Sequence, residues 1–209
     1  VTLRYDAFGS LGAVETPSEA VLREAGVGVQ RSRRWNWRRP FKVHRRNHRK
    51  LLVVDDRIAF LGGYNIHRVC SREVYGEARW RDTHARMEGP VAFDAGIAFE
   101  LYERSHWSVT RRDEVWLLPN RGLRGRWLLH RVLRQRFRAA QQRIWLTTPY
   151  FVPDQSTQNQ LVRAARRGVD VRVLVPGRSD VPLAQWATRA AYTPLLAAGV
   201  KLYEYRPRV

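Results

Sequence analysis

The chain has 209 residues, enough for one large or two small domains with a buried core. Its 38 Lys and Arg against 19 Asp and Glu leave a net charge of +19, which draws a surface toward polyanions, either nucleic acid or an anionic membrane face; nearly all the cations are arginine, so a compositional bias accounts for the count equally well. A single cysteine, Cys70, excludes an intramolecular disulfide and makes a reducing compartment the default, and neither a signal peptide nor a bilayer-spanning run is legible.

Spacing and punctuation give the predicted elements in chain order. Thr2 to Asp6 reads as a strand and Pro17 to Ala25 as a helix ended by Gly26. Val27 to Gln30 is a strand, followed by an arginine- and tryptophan-rich loop from Arg31 to Pro40. Arg49 to Val54 and Ile58 to Leu61 form two apolar strands around an Asp55-Asp56 turn, and Thr83 to Glu88 forms another. Pro90 opens a long amphipathic helix to about Trp107, with proline in the first turn. Asp113 to Leu118 is a strand and Gly125 to Gln141 a helix. Strand Ile144 to Thr148, helix Thr157 to Arg167, strand Val169 to Val175, helix Pro182 to Ala198 and strand Val200 to Tyr205 complete the series. Strands alternating with helices predict an α/β fold with a mixed sheet.

The segment from Leu22 to Val29 parallels Leu195 to Leu202, and Val1 to Ser10 parallels Val171 to Ser179. Gly26 and Gly199 are 173 positions apart. Helix–glycine–strand junctions are common, so the similarity is weak evidence by itself.

The chemistry concentrates between His48 and Asn65. Alternate residues of a strand share a face, so His48 and Lys50 stand together. An imidazole can attack phosphorus or protonate a leaving oxygen, and an adjacent ammonium can hold a phosphate oxygen as charge develops. Asp55 follows in the turn, and Gly62-Gly63-Tyr64-Asn65 lets backbone and a carboxamide approach the same anion. The competing readings are ordinary: the run from Arg45 to Lys50 would serve as a solvated basic patch, and Asp55 as a turn residue. His44 with His48, and His67 with Cys70, lack the further partners that zinc requires, so no metal is expected. No phosphate-binding loop or dinucleotide fingerprint is present, and no cofactor is expected.

The pattern H-x-K-x4-D on His48, Lys50 and Asp55, with the following G-G-x-N, resembles the phospholipase D superfamily. Trp80-Arg-Asp82-Thr83-His84 and Thr148-Pro-Tyr150-Phe-Val-Pro-Asp154 are similar to segments of its bacterial cardiolipin synthase branch, as is Gly63, where other members often carry serine. The resemblance implies an α-β-α sandwich of two pseudo-symmetric halves, here 1–118 with the first motif and 119–209 as an incomplete second half. It makes His48 the nucleophile, Lys50, Asn65 and Gly63 the phosphate-binding set, and Asp55 a support of the loop. It gives Asp82 the Nδ1–H of the catalytic histidine, although Asp82 also reads as a surface-loop aspartate. Tyr150 would line the pocket, although packing explains it and Phe151 nearly as well.

Family members carry the motif twice, and the offset of 173 carries His48 past Val209, so the chain is expected to be a piece of a longer enzyme. That enzyme would join two phosphatidylglycerols into cardiolipin and glycerol through a phosphohistidine. It would work peripherally on the cytoplasmic face of a bacterial inner membrane. The alternatives are hydrolysis of a lipid or nucleic-acid phosphodiester and a non-catalytic anion-binding module. Trp35, Trp37, Arg38 and Arg39 would touch anionic headgroups or simply form a solvated loop.

Overall fold

A computed structural model describes residues 1–6, 17–32, 48–101, 110–112, 115–118, 120, 122–178 and 181–206. It divides into two units, Val1–Lys50 and Leu51–Val209. Trp35, Trp37, Arg38 and Arg39 lie outside the described residues.

In the first unit, β1 (Thr2–Asp6) and β2 (Gly28–Ser32) are parallel, with Leu3 opposite Val29, and α1 (Pro17–Glu24) connects them. Parallel strands need such a crossover. Arg31 and Ser32, expected in the loop, instead continue β2. The reason is Glu19, a buried carboxylate on α1 that accepts hydrogen bonds from Tyr5 Oη at 3.0 Å, Arg23 Nη2 at 2.7 Å and Arg31 Nη2 at 2.5 Å. A buried charge demands partners, and here they tie both strands to the helix.

The second unit opens with a hairpin of β3 (Lys50–Val54) and β4 (Ile58–Gly62). Asp55 and Asp56 both have φ of 52°, and Arg57 N–H donates to the Val54 carbonyl at 3.1 Å. Two left-handed central residues make a type I′ turn, whose twist matches that of paired strands. β5 (His84–Glu88) adds antiparallel to β4. Between them lie two short 3₁₀ turns, Arg68–Cys70 and Gly76–Ala78, around α2 (Arg72–Tyr75), all too brief to leave a periodic signal.

Helix α3 (Pro90–Glu100) buries Val91, Ala92, Ala95 and Ala98 in a cluster with Ala59 and Leu117. Its described extent ends at Glu100, where Leu101 N–H closes the last turn on the Ile97 carbonyl; the rest of the helix expected to about Trp107 lies outside the described residues. Its outer face carries Phe93 and Ile97, both exposed, so it is less amphipathic than expected. Of the strand expected from Asp113 to Leu118, the described part is β7 (Val115–Leu117), which pairs antiparallel with β6 (Thr110–Arg112); 113–114 are outside the described residues.

A second core forms further along. α4 (Gly122–Ala139) is followed by β8 (Arg143–Thr147), α5 (Gln155–Arg166) and β9 (Asp170–Pro176). Then come α6 (Pro182–Ala190), α7 (Tyr192–Ala197) and β10 (Lys201–Tyr205). β8, β9 and β10 are parallel in the order β10-β9-β8. Val171, Val173 and Val175 of β9 are buried and packed with Leu161, Leu195 and Phe137. The single helix expected from Pro182 to Ala198 is two, because Pro194 has no N–H for the Ala190 carbonyl and its ring would clash there. Among the described residues, no helix is long and apolar enough to cross a membrane.

The sequence similarity has a structural counterpart. Thr2–Asp6 pairs with Gly28–Ser32 as Arg172–Pro176 pairs with Lys201–Tyr205, residue for residue. Gly26 and Gly199 sit at φ of 79° and 87°, and the next residue's N–H returns to Leu22 or Leu195 at 2.9 and 3.0 Å. Gly168 makes the same junction at φ 88°, so the turn is general; the matched strand register is the more specific similarity.

Candidate active site

His48 and Lys50 end the first unit. Lys50 Nζ lies 2.9 Å from His48 Nδ1 and 2.8 Å from Nε2, and donates to the His48 carbonyl at 3.0 Å. One ammonium equally near both ring nitrogens cannot lie along both lone pairs, so this is a charge pressed against the ring more than a directed hydrogen bond. His48 precedes β3, which begins at Lys50, so the two side chains meet because Lys50 reaches back to the ring and not through strand alternation.

The residue is exposed overall, but crowding around the ring desolvates the imidazolium and pushes the His48 pKa below its ordinary 6.5. The Lys50 charge pushes the same way, and Asp6 opposes both. A neutral imidazole is the form that can attack phosphorus. Asp6 ends β1, and the sequence analysis missed it. Its signal was its place at the carboxyl end of a parallel strand, where α/β proteins gather site residues.

In the second unit the strand pair β4–β5 builds a separate group. Gly62 stands opposite His84. Gly63 N–H donates to the Thr83 carbonyl at 3.0 Å and Tyr64 N–H to His84 Nδ1 at 3.1 Å. That bond makes Nδ1 the acceptor and leaves the proton of a neutral His84 on Nε2. His84 is thus a half-buried structural acceptor, with the Tyr64 ring tilted against it at 5.6 Å between centroids. A Cβ on Gly62 would lie 2.2 Å from the Thr83 oxygen, and one on Gly63 2.0 Å from Asp82 Oδ1. Asp82 Oδ1 also accepts Thr83 N–H at 2.7 Å, so the carboxylate lies folded over Gly63. Asn65 follows as an exposed side chain.

His48 and Lys50 thus belong to the first unit, and Gly63, Asn65 and Asp82 to the second. Asp55 is exposed in the turn at the far end of β3, roughly 16 Å of strand beyond Lys50 at about 3.3 Å per residue. The Tyr150-Phe151 pair divides: Phe151 is buried in the second core, whereas Tyr150 is exposed. Asp154, quoted only as part of a motif, caps α5 by accepting Thr157 N–H at 2.6 Å. Among the described residues, no group of three or more metal-binding side chains occurs.

Residues 133–209 match the family model described as "Cardiolipin synthase, PLD-like domain". The chain is similar to proteins named cardiolipin synthase A from Klebsiella pneumoniae (33% identical over 222 residues) and Edwardsiella ictaluri (34% over 223). A third, from Citrobacter koseri, is 33% identical over 222 residues. Each alignment covers 97% of this chain and 46% of the relative; the chain spans about half the length of the curated relatives it matches. The His48–Asn65 pattern lies inside those alignments, and the chain is similar to the phospholipase D superfamily, in its cardiolipin synthase branch.

Proposed function

We propose that the protein contributes the nucleophilic half of a phosphatidyltransferase of the cardiolipin synthase type. The observation that carries the reading is the contact of the Lys50 ammonium with the His48 ring, joined to surroundings that favour neutral imidazole. A ring nitrogen of His48 attacks the phosphorus of one phosphatidylglycerol. A P–N bond forms, the P–O bond to glycerol breaks, and glycerol leaves with a proton. The glycerol hydroxyl of a second phosphatidylglycerol then attacks the phosphohistidine, giving cardiolipin and returning His48.

Lys50 moves from the ring to a non-bridging oxygen and offsets the charge of the pentacoordinate transition state. Asn65 donates its amide to the same phosphate, and Gly63 keeps Asp82 and the backbone close. In this reading Asp82 holds the histidine's Nδ1–H. The halves 1–118 and 119–209 are the two pseudo-symmetric parts, and the matched registers of β1–β2 and β9–β10 support that division. The site faces the cytoplasmic leaflet of a bacterial inner membrane.

The test is product analysis with headgroup-labelled phosphatidylglycerol. Cardiolipin with labelled glycerol, and an acid-labile phosphoryl adduct lost in His48→Ala, are the expected results. Phosphatidic acid without cardiolipin would replace transfer by hydrolysis, and turnover in His48→Ala would remove the nucleophile.

A further inference from the structure

Helix α4 contains six arginines and no acidic residue. We propose that one stripe of it, Trp127, Arg131, Arg134, Gln135 and Arg138, is a docking face for a bilayer surface of anionic phosphodiester headgroups. Residues four and seven apart share a helix face, and this spacing aligns Trp127 with Arg131, Arg134 and Arg138. Arg131, Arg134, Gln135 and Arg138 line an open cleft of about 410 Å³.

The neighbouring helix fixes the arginines. Arg134 Nη1 donates to Ser156 Oγ at 3.1 Å and Arg138 Nε to the buried Gln160 Oε1 at 3.1 Å. Each bond uses a neutral acceptor, so the positive charge is held in place without being cancelled. Among the described residues, no ion pair joins a carboxylate to Arg131, Arg134 or Arg138 within 4.0 Å. Asp154 feels His130 and Arg134, but its carboxylate caps α5 by accepting Thr157 N–H.

The occupant is argued from charge and apolar character together. The Arg131 guanidinium sits 5.2 Å from the Trp127 ring centre, and Trp127 and Leu123, one turn apart, are 57% and 79% exposed. Indole and leucine beside guanidinium suit a headgroup interface, where the ring enters the acyl boundary and arginine meets phosphate. The inference rests on the proposed transferase reading only for the choice of phospholipid over another polyanion.

The test is cosedimentation of the protein with phosphatidylglycerol–phosphatidylcholine vesicles against phosphatidylcholine alone. Gln135→Glu places a carboxylate in the cleft at an exposed position where added ion pairs favour folding. It should weaken binding to the anionic vesicles about fivefold, and Arg131→Glu more, at about fivefold per unit charge. Thr193→Glu, exposed on α7, should leave binding unchanged. His48→Ala should abolish transfer without changing binding, so failure of the transferase reading and failure of the docking face are told apart. Equal weakening by Thr193→Glu and Gln135→Glu, or no effect of Gln135→Glu, would overturn the proposal. So would loss of duplex-DNA binding in Gln135→Glu with vesicle binding intact, which would make the cleft a nucleic-acid site.

Discussion

The carboxylate of Asp82 occupies the space that a side chain on Gly63 would need, with Oδ1 2.0 Å and Oδ2 2.4 Å from an ideal Cβ. Neither Gly62 nor Gly63 adopts a positive φ, so these glycines are required by close approach and not by backbone conformation. The motif glycines and the distant Trp80–His84 segment are therefore one structural feature: Gly62 admits the Thr83–His84 backbone and Gly63 admits Asp82.

That relationship orders three substitutions. Gly63→Ala collides with a carboxylate that can rotate away, giving up the Thr83 N–H bond, and should cost about 1 kcal/mol. Gly62→Ala meets backbone, 2.2 Å from the Thr83 oxygen and 2.7 Å from His84 Cα, and should cost about 3 kcal/mol. Adding Asp82→Ala should recover most of the Gly63→Ala loss and none of the Gly62→Ala loss. Denaturant unfolding of the single and double variants reads this as a coupling energy.

The Asp55-Asp56 turn makes an opposite prediction. Both residues hold φ of 52°, which Asn-Gly adopts with less strain. Asp55→Asn with Asp56→Gly should raise stability by about 0.5–1 kcal/mol. Asp55 is exposed and far along β3 from Lys50, so Asp55→Asn alone should keep a transfer rate near that of the parent. A collapse of transfer with stability unchanged would make Asp55 a direct participant.

Much of this was legible in the sequence because the signals were local. The helix–glycine–strand junctions, the Asp55-Asp56 turn and the β9 valines each follow from spacing within a few residues. What escaped depended on distant partners. Asp6 faces His48 electrostatically from a strand more than forty positions away, and Glu19 extends β2 by binding Arg31. The reason for the glycine pair was equally hidden, since nothing near Gly63 reveals that Asp82 folds over it. Pro194 is the exception: a local helix breaker was present inside the run read as one helix.

Acid should loosen the first unit through Glu19. Hydrogen bonds from Arg31 and then Arg23 hold its pKa at about 2, below the ordinary 4.5, so the unfolded chain takes up the proton first. The stabilisation is complete above pH 4.5 and is lost as pH falls toward 2. Glu19→Gln should therefore lower the melting temperature at pH 7 and converge on the parent near pH 2. Thermal melts across that range, followed by circular dichroism, give the comparison; a constant difference would mean that the ion pairs contribute nothing.

His48 titrates in a different window. Desolvation first, and Lys50 second, hold its pKa below 6.5 in the folded protein while Asp6 pulls it back. Any stability linked to this group is present above pH 6.5 and is lost as pH falls through the lower folded value. The same shift sets the acid limb of kcat/KM, which reports the free enzyme's essential base, and that limb should lie below 6.5. Asp6→Asn should move it further down by removing an opposing charge. Lys50→Met should move it up, while lowering kcat about 10²–10³-fold through loss of transition-state stabilisation. Imidazole titration by NMR separates the two effects of Lys50, because the pKa change appears without turnover. An acid limb that Asp6→Asn leaves in place would show that Asp6 does not set the charge state of the nucleophile.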